Sequence, residues 1–326
     1  MKIVKASEVG EYAIEKMLTK ASFDEVELSP KIREANKKTF GRDMTAAELV
    51  RQIVGDVRRE GDAAVIRYTR LIDRVDYKPE DFLVTEAEYE AAEKAADPAV
   101  VESLRKAAEN VRRYHQEQKP NSWMTYREKG SILGQSIIPL DRVGIYVPGG
   151  TAAYPSSVIM NAVPASVAGV GEIIMMVPPK NGKINPYVLI AARAAGVKKI
   201  YKIGGAQAIA AMAFGTETIP RVDKIFGPGN RYVTKAKQLV GANDVAVDLP
   251  AGPSEVLVLA DDEASPAFAA ADLLSQAEHG DDSQAVLVCR SEEFAQRAIA
   301  SVGEQAARLS RRDAIGNSLA NSRIVL

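Results

Sequence analysis

The sequence contains few of the residues that cross-link chains or bind metals. Its 326 residues include one cysteine and two histidines. The single cysteine, Cys289, excludes an internal disulfide. Because it ends the apolar run 285–288, we interpret it as a buried structural thiol at the end of a strand. Of the histidines, His115 lies in a charged stretch that predicts a solvated helix face, so His279 is the one plausibly near a cleft.

Charge of one sign and long apolar runs are also missing. The 42 Lys and Arg residues balance 43 Asp and Glu, for a net charge of −1, so nothing in the total charge favours nucleic acid or an acidic membrane as a partner. No apolar run approaches the ~20 residues of a membrane span, and Met1–Lys5 leads directly into charged sequence without a signal core. We therefore expect a reduced, cytoplasmic protein with no nucleic-acid or membrane partner.

The N-terminal third is charged and helical in its periodicity. Apolar residues recur at helical spacing through residues 45–57, for example, whereas residues 122–141 lose that pattern and predict irregular or hairpin structure. A chain of this length and 46% hydrophobic content is expected to form about two domains.

From Arg142 onward, short apolar runs alternate with alanine-rich helical stretches. Strands separated by helices of this length indicate βαβ units and a parallel sheet. The predicted strands and helices of the first set are 143–147, 155–170, 173–177, 185–195, 199–203, 206–214, 222–226, 230–240 and 245–247. Those of the second set are 255–259, 266–278, 284–289, 292–307 and 322–326.

The turn at residues 249–253 separates the two sets and predicts a domain boundary. We expect residues 141–253 to form a Rossmann-like domain inserted into a discontinuous α/β domain made of residues 1–140 and 254–326. The last residues, 323–326, resemble a strand entering a sheet, so we also expect the given sequence to be truncated.

Three strand-to-helix turns in the first set are rich in glycine: 146–150, 204–207 and 227–230. Glycine at such junctions allows a ligand to approach the backbone closely, and the N–H groups of the following helix favour phosphate. No G-x-G-x-x-G sequence is present, which argues against an ordinary Rossmann fingerprint. Each turn also has a purely structural interpretation, and together they favour a cofactor-sized site.

Two polar residues, Gln276 and His279, lie three apart near the end of the predicted helix 266–278. Side chains at that spacing are neighbours, so both could converge on one ligand or metal, or both could simply face solvent. Two ligands do not complete a zinc site, which takes about four. A Ser-His-Asp hydrolase built on Ser254 is weakly supported because G-x-S-x-G is absent, and the basic residues of 231–237, Lys237 included, are interpreted as a solvated helix face.

Five ordered segments together resemble the histidinol dehydrogenase family. They are residues 143–150, 204–211, 226–230, 251–255 and 275–280, and the resemblance extends over about residues 30 to 326. It implies two Rossmann-like, aldehyde-dehydrogenase-like parallel-sheet domains with an N-terminal helical region. It also implies a homodimeric, zinc-dependent enzyme that oxidises L-histidinol through histidinal to L-histidine with two NAD, the last steps of histidine biosynthesis.

The resemblance also implies roles for individual residues. Tyr146, Gln207 and Asn230 match the residues that contact NAD, and Ser254 matches a substrate contact. Gln276 and His279 match residues that bind both zinc and substrate. The family's catalytic Glu-His pair and its remaining zinc ligands are expected beyond Leu326. No catalytic base is therefore assigned in this chain, and we expect little or no turnover from it.

Two alternative functions stay open at the level of sequence. One is a dehydrogenase of the same superfamily, dependent on NAD and zinc, that acts on another alcohol. The other is a non-catalytic dinucleotide-binding module.

Overall fold

The computed structural model describes residues 1–19, 33–34, 36–37, 40–149, 153–249, 255–280 and 283–326. The chain forms two compact units, Met1–Ser22 with Pro253–Leu326, and Phe23–Gly252. The larger unit ends at Gly252, and the smaller one resumes at Pro253. The division differs from the predicted one in the N-terminal region, because most of residues 1–140 belong with the inserted segment.

The N-terminal half of the larger unit is helical. Two of its helices begin with a T-x-x-E capping box, at Thr45–Glu48 and at Thr85–Glu88, which satisfies free backbone N–H groups at the start of each helix. A five-residue π-helical turn, Thr69–Asp73, continues the helix Asp62–Tyr68. Numbered along the whole chain, the helices of this region are α3 (Ala46–Glu60), α4 (Asp62–Tyr68), α5 (Glu86–Ala95) and α6 (Pro98–Gln118).

The hairpin that follows is formed by β2 (Trp123–Tyr126) and β3 (Ile132–Gln135), which pair antiparallel. It lies within residues 122–141, where the sequence predicts irregular or hairpin structure. Large apolar side chains on both strands are exposed. The hairpin therefore buries little apolar surface, and an isolated two-stranded hairpin is only marginally stable in water.

The centre of the larger unit is a five-stranded parallel sheet in the order β6-β5-β4-β7-β8. Every pairing between neighbouring strands is parallel, as the alternation of strands and helices predicts. The strands are β4 (Arg142–Tyr146), β5 (Glu172–Met176), β6 (Lys199–Tyr201), β7 (Lys224–Phe226) and β8 (Ala246–Val247). The connecting helices are α7 (Pro155–Ala168), α8 (Pro186–Ala195), α9 (Gly205–Phe214) and α10 (Arg231–Gly241).

The two faces of this sheet are covered by different helices. One core joins α3, α4, α9 and α10 to residues such as Ile174 and Met176. The other joins α5, α6, α7 and α8 to residues such as Val143 and Met175. Successive strand residues point to opposite faces, which is why neighbours in β5 enter different cores. The N-terminal helices therefore belong to the larger unit because they bury their apolar faces against its sheet.

The smaller unit contains a four-stranded parallel sheet in the order β1-β11-β10-β9. Its strands are β1 (Lys2–Val4), β9 (Val256–Ala260), β10 (Ala285–Cys289) and β11 (Arg323–Val325). Its helices are α1 (Ala6–Val9), α2 (Glu11–Leu18), α11 (Pro266–Ala277), α12 (Glu292–Ala306) and α13 (Arg312–Asn321). Together with the sheet of the larger unit, this confirms the predicted α/β class with two parallel-sheet units and an N-terminal helical region.

Cys289 lies at the end of β10 and is buried, and burial raises the pKa of its thiol. This agrees with its interpretation as a structural residue of a strand. In the part of the chain that the structure describes, none of the helices combines the length and the apolar character needed to cross a lipid bilayer.

Candidate functional site

The order of the five-stranded sheet reverses between β4 and β7. In open α/β sheets, ligands bind beyond the carboxyl ends of the strands at such a switch point. β4 ends at Tyr146, and β7 leads through Gly227 to Asn230. Two of the three predicted NAD residues, Tyr146 and Asn230, therefore lie at or just beyond the carboxyl ends of the two strands that form the switch.

Tyr146 connects β4 to the start of α9. Its side chain is buried, and its hydroxyl oxygen accepts a hydrogen bond from the backbone N–H of Gly205, with a donor–acceptor distance of 3.1 Å. Burial raises the pKa of the phenol, and the bond from Gly205 opposes this only in part. The hydroxyl is therefore neutral at ordinary pH and holds the carboxyl end of β4 against the N-terminus of α9.

Gln207 lies in the first turn of α9 and is 0% exposed. Its Nε2 donates to Oδ2 of Asp73 at 3.2 Å. Its Oε1 is buried and has no hydrogen-bond partner in the described structure. Most buried polar atoms are paired, so an unpaired amide oxygen at this edge of the sheet marks a place where a ligand can supply the missing donor.

Asp73 is a residue of this site that sequence reasoning did not find. It ends the π-helical turn Thr69–Asp73, far from Gln207 in sequence. Burial raises the pKa of its carboxyl group to about 6. No motif surrounds it, and a single Asp in a charged helical region carries no signal of burial.

Asn230 caps helix α10. Its Oδ1 accepts from the backbone N–H groups of Tyr232 and Val233 at 3.0 and 3.1 Å. Asn is among the preferred residues at this position because the first N–H groups of a helix have no internal partner. Asn230 therefore stabilises the start of α10, and it lies at the same edge of the sheet as Tyr146.

The glycine turns are packed against their own neighbours. A Cβ atom on Gly204 would lie 2.4 Å from Cβ of Pro178. Gly227 has a φ of +110°, and a Cβ atom there would lie 2.2 Å from the carbonyl oxygen of Tyr146. These two glycines are therefore required by the protein's own packing, whether or not a ligand approaches, and the turns that follow β6 and β7 both contact Tyr146.

A buried ion pair also holds the turn after β7. The ammonium group of Lys237 donates to the carbonyl oxygen of Gly227 at 2.8 Å and to Asp248, and Oδ2 of Asp248 accepts from the N–H of Gly227 at 2.7 Å. Lys237 is 1% exposed, so its predicted place on a solvated helix face is wrong. The physical reason is that a carboxylate and a carbonyl oxygen replace water around its charge.

An open cleft of about 380 Å³ lies beyond the carboxyl ends of β4 and β5. It is bordered by Gly149 beyond β4, by Val177 and Pro178 beyond β5, and by Lys180 and Lys183 before α8. Tyr146, Gln207 and Asn230 do not line it. The turns of the predicted site therefore meet at Tyr146, and the open volume lies next to them.

In the smaller unit, the structure treats the two predicted zinc residues differently. Gln276 is 2% exposed in the last turn of α11, and its Nε2 is buried without a hydrogen-bond partner in the described structure. His279 is exposed beyond the end of that helix, where its backbone N–H donates to the backbone carbonyl oxygen of Gln276 at 3.1 Å. Ser254 lies outside the described residues, as do positions 250–253.

Among the described residues, the donor set for a zinc site is incomplete. Within the described ranges, no group of three or more His, Cys, Asp or Glu side chains is arranged to hold a metal ion. Gln276 and His279 supply two donors of the roughly four that zinc takes. In the larger unit, Gln207 leaves an acceptor without a partner among the described residues, in the first turn of α9, and the N-cap of this helix, Gly204, has no side chain to cap it. Such a helix start suits the phosphates of a nucleotide.

Comparison with known proteins shows the family to which this chain belongs. The family model for histidinol dehydrogenase matches residues 36–326. The histidinol dehydrogenase of Geobacter sulfurreducens is 51% identical over 278 residues, which cover 85% of this chain and 64% of that protein. The Lactococcus lactis enzyme of the same name is 45% identical over 302 residues, covering 91% of this chain and 70% of that protein.

A solved structure gives the same result. The crystal structure of histidinol dehydrogenase from Elizabethkingia anophelis superimposes with a TM-score of 0.82 at 38% identity, covering 100% of this chain and 70% of that one. This chain thus spans about two thirds of the length of the relatives that it matches. It belongs to the histidinol dehydrogenase family.

Proposed function

We propose that this chain forms the NAD-binding part of a histidinol dehydrogenase, which oxidises L-histidinol through histidinal to L-histidine. The observation that carries the proposal is the buried, unpaired Oε1 of Gln207 beside Tyr146, at the switch point of a chain that belongs to this family. The homodimer and the cytoplasmic location that the sequence resemblance implies are part of the same proposal.

The residues of the larger unit would hold the cofactor. Bound NAD supplies the acceptor for the hydride that the alcohol loses. Gln207 offers an amide oxygen to a hydroxyl or amide donor of the nucleotide, and Tyr146 sets the position of the helix that carries Gln207. Asn230 adds a side-chain amide at the turn after β7, while its Oδ1 keeps α10 capped.

In the smaller unit, Gln276 and His279, with Ser254, are proposed to contact the substrate. The described donors do not complete a zinc site, so the role proposed for these residues is binding alone. We propose that this chain binds NAD with little or no turnover by itself.

Calorimetric titration of NAD into the 326-residue chain tests the proposal. Binding is expected, and Gln207→Ala should weaken it about tenfold because one buried hydrogen bond to the ligand is lost. A matched control is Gln238→Ala, an exposed residue of α10. No binding at millimolar NAD would contradict the proposal, and steady NADH formation with histidinol would refute the low turnover. NADH formation with another alcohol in preference to histidinol would favour a different dehydrogenase of the superfamily.

A further inference from the structure

Asp73 holds a position that its own segment does not explain. It is the last residue of a π-helical turn, a form of helix that is rare and often occurs at functional sites. The next residue, Arg74, has a φ of +58°, which turns the chain away from α4. The carboxylate is thereby directed to Gln207 in α9, with 3.2 Å between Oδ2 and Nε2.

The chemistry of the pair sets the orientation of the amide. An ionised carboxylate only accepts hydrogen bonds, so the NH₂ group of Gln207 must face Asp73 and the amide oxygen must face away from it. That oxygen is the buried atom without a partner. When Asp73 is ionised, the amide oxygen of Gln207 is therefore directed away from Asp73 and is free to accept a hydrogen bond from a ligand.

We propose that Asp73 is a positioning residue for nucleotide binding, which holds Gln207 so that its amide offers an oxygen rather than an NH₂ group to bound NAD. The inference rests on the proposed NAD site and adds a residue that acts on the cofactor through Gln207. The donors on NAD that such an oxygen can accept from are ribose hydroxyls and amide or amino N–H groups.

Protonation of Asp73 removes this control. A neutral carboxyl group also donates, so the amide of Gln207 can turn and present NH₂ to the ligand instead. Burial raises the pKa of Asp73 to about 6, so the acceptor orientation is held above that pH and is lost below it. The two phenols beside it stay neutral there, because burial raises the pKa of Tyr77 to about 12 and raises that of Tyr146 well above its ordinary value. Lys202, over the Tyr77 ring, is paired with Glu88.

The test compares Asp73→Asn with Asp76→Asn, an exposed position three residues further along. NAD affinity is measured by calorimetry from about pH 5 to about pH 8. The unsubstituted chain and Asp76→Asn should bind more weakly as the pH falls through about 6. The amide of Asp73→Asn both donates and accepts, so this variant should bind NAD about five- to tenfold more weakly at the upper pH. Its NAD affinity should show no change as the pH falls through about 6.

A second measurement does not depend on the folding of a variant. In the unsubstituted chain, the side-chain ¹⁵N resonance of Gln207 should titrate with the midpoint at which NAD affinity changes. If it does not titrate, or if Asp73→Asn keeps the affinity and pH profile of the unsubstituted chain, the positioning role is overturned. If the unsubstituted chain binds no NAD at any pH, the proposed function itself fails, and the inference with it.

Discussion

Lys237→Met removes the ammonium group from the buried ion pair behind the Gly227 turn. The substitution keeps most of the aliphatic length, so little apolar contact is lost. It leaves the Gly227 carbonyl oxygen and the Asp248 carboxylate without the donor that both share. The backbone N–H of Gly227 still donates to Asp248, so the turn loses one side of its support and keeps the other.

The expected loss of stability follows from the burial of the two partners. Removing one partner of a fully buried pair costs about 3 to 5 kcal/mol. The Lys237 side chain is 2% exposed and that of Asp248 is 25% exposed, so water can partly solvate the carboxylate that remains. We therefore expect a loss of about 2 to 3 kcal/mol, or roughly 4 to 12 °C in the melting temperature of the larger unit.

A double-mutant cycle with Asp248→Asn, followed by urea unfolding and calorimetry, measures the coupling. The double variant should be more stable than the sum of the single losses predicts, by about 1 to 2 kcal/mol. Lys198→Met, an exposed lysine of the same unit, is the matched control and should change stability by less than about 0.5 kcal/mol. A loss below about 0.5 kcal/mol for Lys237→Met, or additive effects in the cycle, would refute the reasoning.

Three further outcomes are expected. Tyr146→Phe leaves the N–H of Gly205 without its acceptor and should cost about 1 kcal/mol in thermal unfolding; an unchanged melting curve would show that this bond contributes nothing. Gln276→Leu replaces a buried amide that has an unpaired NH₂ and should raise stability by about 1 kcal/mol in urea titrations, whereas a loss would mean that the amide is satisfied in solution. Cys289, buried with a raised pKa, should react slowly with a thiol reagent until urea unfolds the smaller unit; fast reaction of the native chain would disprove its burial.

Most of the architecture could be predicted because its signals are local. The strand predicted at 143–147 is found at Arg142–Tyr146, and the helix predicted at 185–195 is found at Pro186–Ala195. Apolar runs bounded by glycine, and alanine-rich stretches between them, report directly on backbone conformation. What could not be predicted is which sheet a helix covers: the amphipathic pattern of α3 shows that one face is buried, but not against what.

The site was predictable only in part, because local sequence signals do not show which distant residues meet. The turns at Tyr146 and Gln207 were found from glycine and are brought together by a single hydrogen bond, while the roles assigned to these residues stay predictions. Asp73 and Lys237 were missed because the burial of a charged residue depends on partners distant in sequence or on the opposite side of a turn. Charge alone predicts exposure, and such residues are the exceptions.

The pairing of β1 with β11 has a consequence for how the chain folds. The residues of the larger unit form one continuous stretch, so that unit can fold as soon as it has been synthesised. β1 precedes those residues in the sequence, yet its neighbour in the sheet, β11, follows them. Closing so long a loop has a high entropic cost until the intervening chain is compact. β1 can therefore take its place in the sheet only after the residues of the larger unit have been synthesised.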